Sequence, residues 1–138
     1  KLKAQGYEVT EIDSWDYFSL VGHGLITGKD YISSAPEVVQ GMVRATLKGM
    51  RHALDHPDEA FEISLKHLPE LAEAQKELER EVLTASMKLW ESDYTRQFGL
   101  GYSNPDDWED SQRLMVEMGL IDKSAPIDEI LDFAFLSP

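Results

Sequence analysis

From Val39 to Leu54 the apolar positions Val39, Met42, Val43, Thr46, Met50, Ala53 and Leu54 recur at three- and four-residue steps, which places them on one side of a helix. Gln40, Arg44, Lys48 and Arg51 fall between them and face water. Ser34 followed by Pro36 supplies the start signal, because a proline in the first turn gives up an N–H that has no helical partner anyway. Gly41 and Gly49 each weaken the helix by about 1 kcal/mol relative to alanine, so it needs packing to persist.

The pattern predicts further elements on both sides. Upstream, Tyr7 to Ile12 partly alternates and reads as a short strand. Leu20 to Thr27 has the apolar content of a buried strand, with Gly22 and Gly24 marking a close backbone approach, a bulge or a bend. Gly28, Lys29 and Asp30 read as the turn out of it.

Downstream, Asp55 and His56 end the first helix, and Pro57 with Asp58 and Glu59 opens another whose buried side is built from Ala60, Phe61, Ile63, Ser64, Leu65 and Leu68. The short connection predicts an antiparallel pair with the preceding helix. A long helix follows from about Glu70 to Trp90, then a loop from Glu91 to Ser103. Asn104, Pro105, Asp106 and Asp107 start a last helix with Trp108, Ser111, Leu114, Met115 and Met118 on its apolar side and Gly119 as its stop. After Pro126 an acidic and apolar segment docks and forms one further helical turn.

Length and composition fit one folded domain or part of one: 138 residues, 42% hydrophobic and 28% charged. The formal charge of -13 argues against nucleic acid or an anionic membrane as partner. Lys29, Arg44, Lys48 and Arg51 could form a modest basic strip, and in so acidic a chain they are expected to pair with neighbouring acids. With no cysteine there is neither a disulfide nor thiolate chemistry. No apolar run reaches the length of about eighteen residues that a spanning helix needs. The opening residues KLKAQGYEV read as a processed product or a piece of something longer.

Candidate chemistry is sparse. Asp13 to Phe18, DSWDYF, gathers two carboxylates and three aromatic rings; Trp15 and Tyr17 could stack on a planar ligand while Asp16 accepts a hydrogen bond, or the rings could close a core with the acids in solvent. His23, between two glycines, is a ligand donor or a structural histidine. His52 and His56 have the spacing of a metal-binding pair, but His56 sits at a helix end beside Pro57 and no third ligand has a clear claim, so no metal site is expected. Glu77 and Glu81 belong to a solvated helix face. No phosphate loop, dinucleotide fingerprint, HExxH, calcium loop or nucleophile elbow occurs, so neither an enzyme nor a cofactor is expected.

The succession LKAQGYEV at Leu2 to Val9, DYF at Asp16 to Phe18, GLITGKDYI at Gly24 to Ile32, PEVVQGMVRATLKGMRHALDHPDEAFEI at Pro36 to Ile63 and DDWEDSQRLMVEMGLIDKSAPIDEILDFAFL at Asp106 to Leu136 resembles the C-terminal half of the NMT1/THI5-like (SsuA/ThiY-like) solute-binding proteins. The resemblance implies an α/β fold: a fragment of a two-lobe periplasmic binding protein of type II, mostly helical with one to three short strands and a crossover segment at about residues 1–20. It implies a periplasmic or lipid-anchored receptor that closes on a small molecule between its lobes, such as a thiamine pyrimidine precursor, a riboflavin-like compound, nitrate or a sulfonate. An ABC permease would be its partner. It carries ligand contact to Asp16 and Tyr17, beside which Trp15 and His23 are proposed from their residue types. The competing expectation is a noncatalytic interaction module, completed by a second copy of the chain or by a missing N-terminal half in trans.

Overall fold

The computed structural model describes residues 2, 5–10, 12, 17, 21–68 and 75–136. Among these residues six helices run in chain order: α1 (Lys29–Ser34), α2 (Pro36–Asp55), α3 (Pro57–Leu65), α4 (Lys76–Met87), α5 (Asp93–Phe98) and α6 (Pro105–Glu117), followed by single 3-10 turns at Ile127–Glu129 and Ala134–Leu136. They form two compact units, one of residues 1–11 and 46–100, the other of residues 12–45 and 101–138.

The expected α/β architecture with one to three short strands is overturned: among the described residues every regular element is helical. The physical reason lies in the two segments that carried the strand expectation. Residues 7–10 and 21–28 are irregular, and Tyr7, Ile12, Leu25 and Ile26 are exposed, Ile26 at 97%. A strand exists through its ladder, and apolar content alone does not form one where no neighbour supplies the bonds. The expected close approach at Gly22 and Gly24 is also absent, since a Cβ on either would meet nothing within 4 Å.

α2 forms over the predicted range with a different start. Ser34 is the last residue of α1, and its hydroxyl donates to the Tyr31 carbonyl at 3.4 Å. The Ala35 carbonyl instead accepts the first helical bonds, from the N–H groups of Val38 (3.1 Å) and Val39 (3.2 Å). Val39 and Ala53 are buried and Val43, Thr46, Met50 and Leu54 half-buried, as the periodicity requires, whereas Met42 is 61% exposed. Gly41 and Gly49 are not packing points: nothing lies within 4 Å of a Cβ placed on either.

In the first unit, α3 packs against α4. Pro57 opens α3 and Asp58 and Glu59 lie in its first turn, as expected. Phe61 is buried, and the Arg80 guanidinium of α4 stands 4.5 Å from its ring centre. The same guanidinium pairs with Asp58 and, at 3.3 Å, with Glu62. The exposed carboxylates make each ion pair weak by itself, but a fork shared by two acids and stacked on a ring fixes how α4 lies on α3. Met87 at the end of α4 and Ala53 of α2 are the other buried apolar side chains among the described residues of this unit.

The segment expected to be a loop, Glu91 to Ser103, contains α5. Ser92 caps it in a reciprocal box: its Oγ accepts from the Thr95 N–H at 3.2 Å, and Thr95 Oγ1 accepts from the Ser92 N–H at 2.7 Å. Gly99, at φ +117°, ends it.

In the second unit, α6 begins as predicted, with Asn104 Oδ1 accepting from the Asp106 N–H at 3.2 Å and Pro105 next. It ends at Gly119, whose φ of +70° lets its N–H reach the Val116 carbonyl (2.9 Å) and the Leu120 N–H reach the Met115 carbonyl (2.8 Å). The face that α6 buries is more polar than expected: Ser111 and Gln112 are buried, whereas Met115 and Met118 are exposed.

Gln112 acts as a clamp. Its Nε2 donates to the Ala125 carbonyl at 3.1 Å and its Oε1 accepts from the Ala125 N–H at 2.7 Å. The terminal segment, held there, brings its Ile127–Glu129 turn onto α6 and the Phe133 ring to 5.2 Å from that of Tyr102.

Two outcomes follow. Gln112→Ala leaves both Ala125 groups without their partner and should lower the stability of the second unit by about 1–3 kcal/mol, with faster amide exchange at Ala125, as read by denaturant unfolding and hydrogen exchange. Gly41→Ala and Gly49→Ala, both in open space on a regular helix, should each stabilise by about 0.5–1 kcal/mol. A fall in thermal midpoint for either glycine variant would mean that the helix has a neighbour at that point.

Candidate functional site

The ligand contacts expected from the sequence fall in the second unit. Trp15 and Asp16 lie outside the described residues. Tyr17 stands in a turn at 69% exposure, and His23 is exposed within the irregular 21–28 segment. That segment is tied at its start, where the Val21 N–H donates to the buried Ser111 Oγ of α6 at 3.2 Å. From there the chain passes His23, Leu25 and Ile26 in solvent before α1 begins at Lys29. A phenol and an imidazole so exposed can stack on a planar ring and exchange hydrogen bonds with it.

The flanking elements fix this surface by local chemistry. Gly28 adopts an extended conformation (φ -79°, ψ 148°), and its carbonyl accepts the first bonds of α1 from Tyr31 and Ile32, both at 3.0 Å. Lys29 pairs with Glu129 at 3.9 Å, and Arg51, in the first unit, pairs with Glu91 at 3.5 Å, as expected for cations in an acidic chain. Arg44 and Lys48 have no ion-pair partner among the described residues, so that expectation holds for half of the strip.

No group of three or more His, Asp or Glu side chains placed to hold a metal ion exists among the described residues. His52 and His56 do come together, with ring centres 5.0 Å apart, and His52 Nε2 is 3.6 Å from Glu59 Oε2. Glu59 reaches the histidines from the first turn after Pro57, and that proline is the signal for its place in the sequence. Gln112 was also missed, because a glutamine beside an apolar stripe reads as a solvated residue. Trp108 donates its Nε1–H to Ser103 Oγ at 2.8 Å and is half-buried, so its ring serves the packing of α6.

The profile of the NMT1/THI5-like family matches residues 1–60. The expectation of a resemblance to the C-terminal half of that family, running through nearly all the chain, is thereby corrected: the match lies in the N-terminal part of this chain and stops before the Trp108 pattern. The chain is also similar to a curated protein, the riboflavin-binding protein RibY of Chloroflexus aurantiacus, with 38% identity over 128 residues. That alignment covers 93% of this chain and 36% of the relative, so the chain spans about a third of the length of the protein it matches. No solved structure matches significantly. Among the described residues no helix is long and apolar enough to cross a membrane. The name of that relative states binding of riboflavin by the relative.

Proposed function

We propose that this chain forms part of an extracytoplasmic solute-binding protein that delivers a small planar molecule to an ABC importer, and that the molecule is flavin-like. The observation that carries this reading is the 38% identity, sustained over 93% of the chain, to a protein named for riboflavin binding. Trp15, Asp16, Tyr17 and His23 are the proposed contacts. Stacking on Trp15 and Tyr17 would remove a ring face from water, the Asp16 carboxylate would accept from a ring N–H, and His23 would supply a donor or acceptor at the edge. An uncharged ring system suits a chain of charge -13 better than nitrate or a sulfonate does, since either anion would have to approach against the field.

A second reading draws support from exposed apolar side chains in one unit: Leu25, Ile26, Tyr31, Val38 and Met42. Such a surface suits an interaction module completed by a second copy of the chain.

Both readings meet the same experiment. Titration of riboflavin with the chain, followed by quenching of flavin fluorescence, should show saturable binding that taurine and nitrate do not displace. Tyr17→Ala and His23→Ala should each weaken it by about 1 kcal/mol or more, roughly a factor of five, with an unchanged circular dichroism spectrum. Absence of quenching together with a dimer mass in light scattering would favour the interaction module instead.

A further inference from the structure

The corner between α2 and α3 carries a feature that solute binding does not use. The His56 N–H donates to the His52 carbonyl at 2.8 Å, so the helical turn persists through His56 although α2 ends at Asp55. The two imidazoles therefore stay on one side, with ring centres 5.0 Å apart and planes tilted by 43°. Pro57 then starts α3 and turns its first-turn Glu59 back toward His52, placing Oε2 3.6 Å from Nε2. His56 and Glu59 are exposed and His52 is half-buried, so the corner is open to solvent.

We infer that His52 and His56 chelate a divalent transition cation of the zinc, nickel or copper class, with Glu59 as a neighbouring carboxylate. A cation bonded at about 2.1 Å to one nitrogen of each ring sits about 3.2 Å from each ring centre, so tetrahedral to octahedral angles at the metal set the centres about 4.5–5.2 Å apart. The observed 5.0 Å lies within that interval. Two imidazoles select borderline cations over magnesium or calcium, which prefer all-oxygen sites. Water completes the coordination, and the Glu59 carboxylate offsets part of the cation's charge and orients His52. The bound cation joins the last turn of α2 to the first turn of α3.

Isothermal titration of the full chain with zinc chloride and nickel chloride tests this, with magnesium chloride as control. Binding of zinc and nickel without magnesium is expected. His52→Ala and His56→Ala should each lower zinc affinity at least about tenfold, and Glu59→Gln by up to about tenfold, while His23→Ala and His67→Ala leave it unchanged. Imidazole nitrogen resonances of wild-type protein give a readout independent of any variant: zinc should shift those of both His52 and His56. Wild-type affinity in the His52 or His56 variants, equal binding of magnesium, or a shift at only one of the two histidines would each overturn the assignment.

Discussion

Few apolar side chains are buried among the described residues. Val39, Ala53, Phe61 and Met87 are the buried ones among the described residues. With so little apolar area removed from water, burial at about 25 cal/mol per Å² cannot fix by itself where each element lies. Polar anchors take that role within each unit. In the second unit Gln112 satisfies both backbone groups of Ala125 and holds the terminal segment to α6. In the first, Arg80 spreads one guanidinium over the Phe61 ring and two carboxylates of α3. The two devices differ in sensitivity. A buried amide that loses its match leaves donor and acceptor uncompensated, whereas an Arg fork facing exposed acids yields only a modest energy and weakens with salt.

This division of labour explains which features were legible in the sequence. Helix ends follow from local chemistry, and the sequence displays it openly: Asn104 with Pro105, Gly119, and Pro57 with its following acids all do what their residue types dictate. Ser92 and Thr95 signal α5 by the same logic, inside a polar run whose composition is that of a loop. Strands are different. Leu20 to Thr27 has strand composition, but a strand requires a paired neighbour, and composition carries no information about whether one is present. Met42 illustrates a related gap, since periodicity places it near the apolar side while the reach of the neighbouring elements decides whether that flank is covered.

The candidate ligand site was legible as a set of residue types and not as a geometry. Aromatic and acidic side chains in DSWDYF state a capacity for stacking and hydrogen bonding, and the structure adds to this only that Tyr17 and His23 are exposed. The histidine corner is the reverse case. Its spacing is visible in the sequence, and the objection that His56 lies at a helix end is met by its N–H bond to the His52 carbonyl, which keeps the two rings together.

Charge separates the two binding proposals physically. A flavin-like ring is bound by contact: dispersion, stacking and short hydrogen bonds act over a few ångströms and gain little from the field of a protein of charge -13. A divalent cation feels that field before it touches a ligand, because the summed carboxylates raise its local concentration around the chain, an effect that fades beyond a Debye length of about 8 Å at physiological ionic strength. Raising salt should therefore weaken cation capture at the histidine corner while leaving contact-driven ring binding nearly unchanged. What survives at high salt for the cation is the part due to the imidazoles themselves, because nitrogen-to-metal bonding is not screened once formed. The acidic surface and the imidazole pair thus contribute separably, one as a long-range attraction with no preference among divalent cations, the other as the short-range bond that supplies the preference.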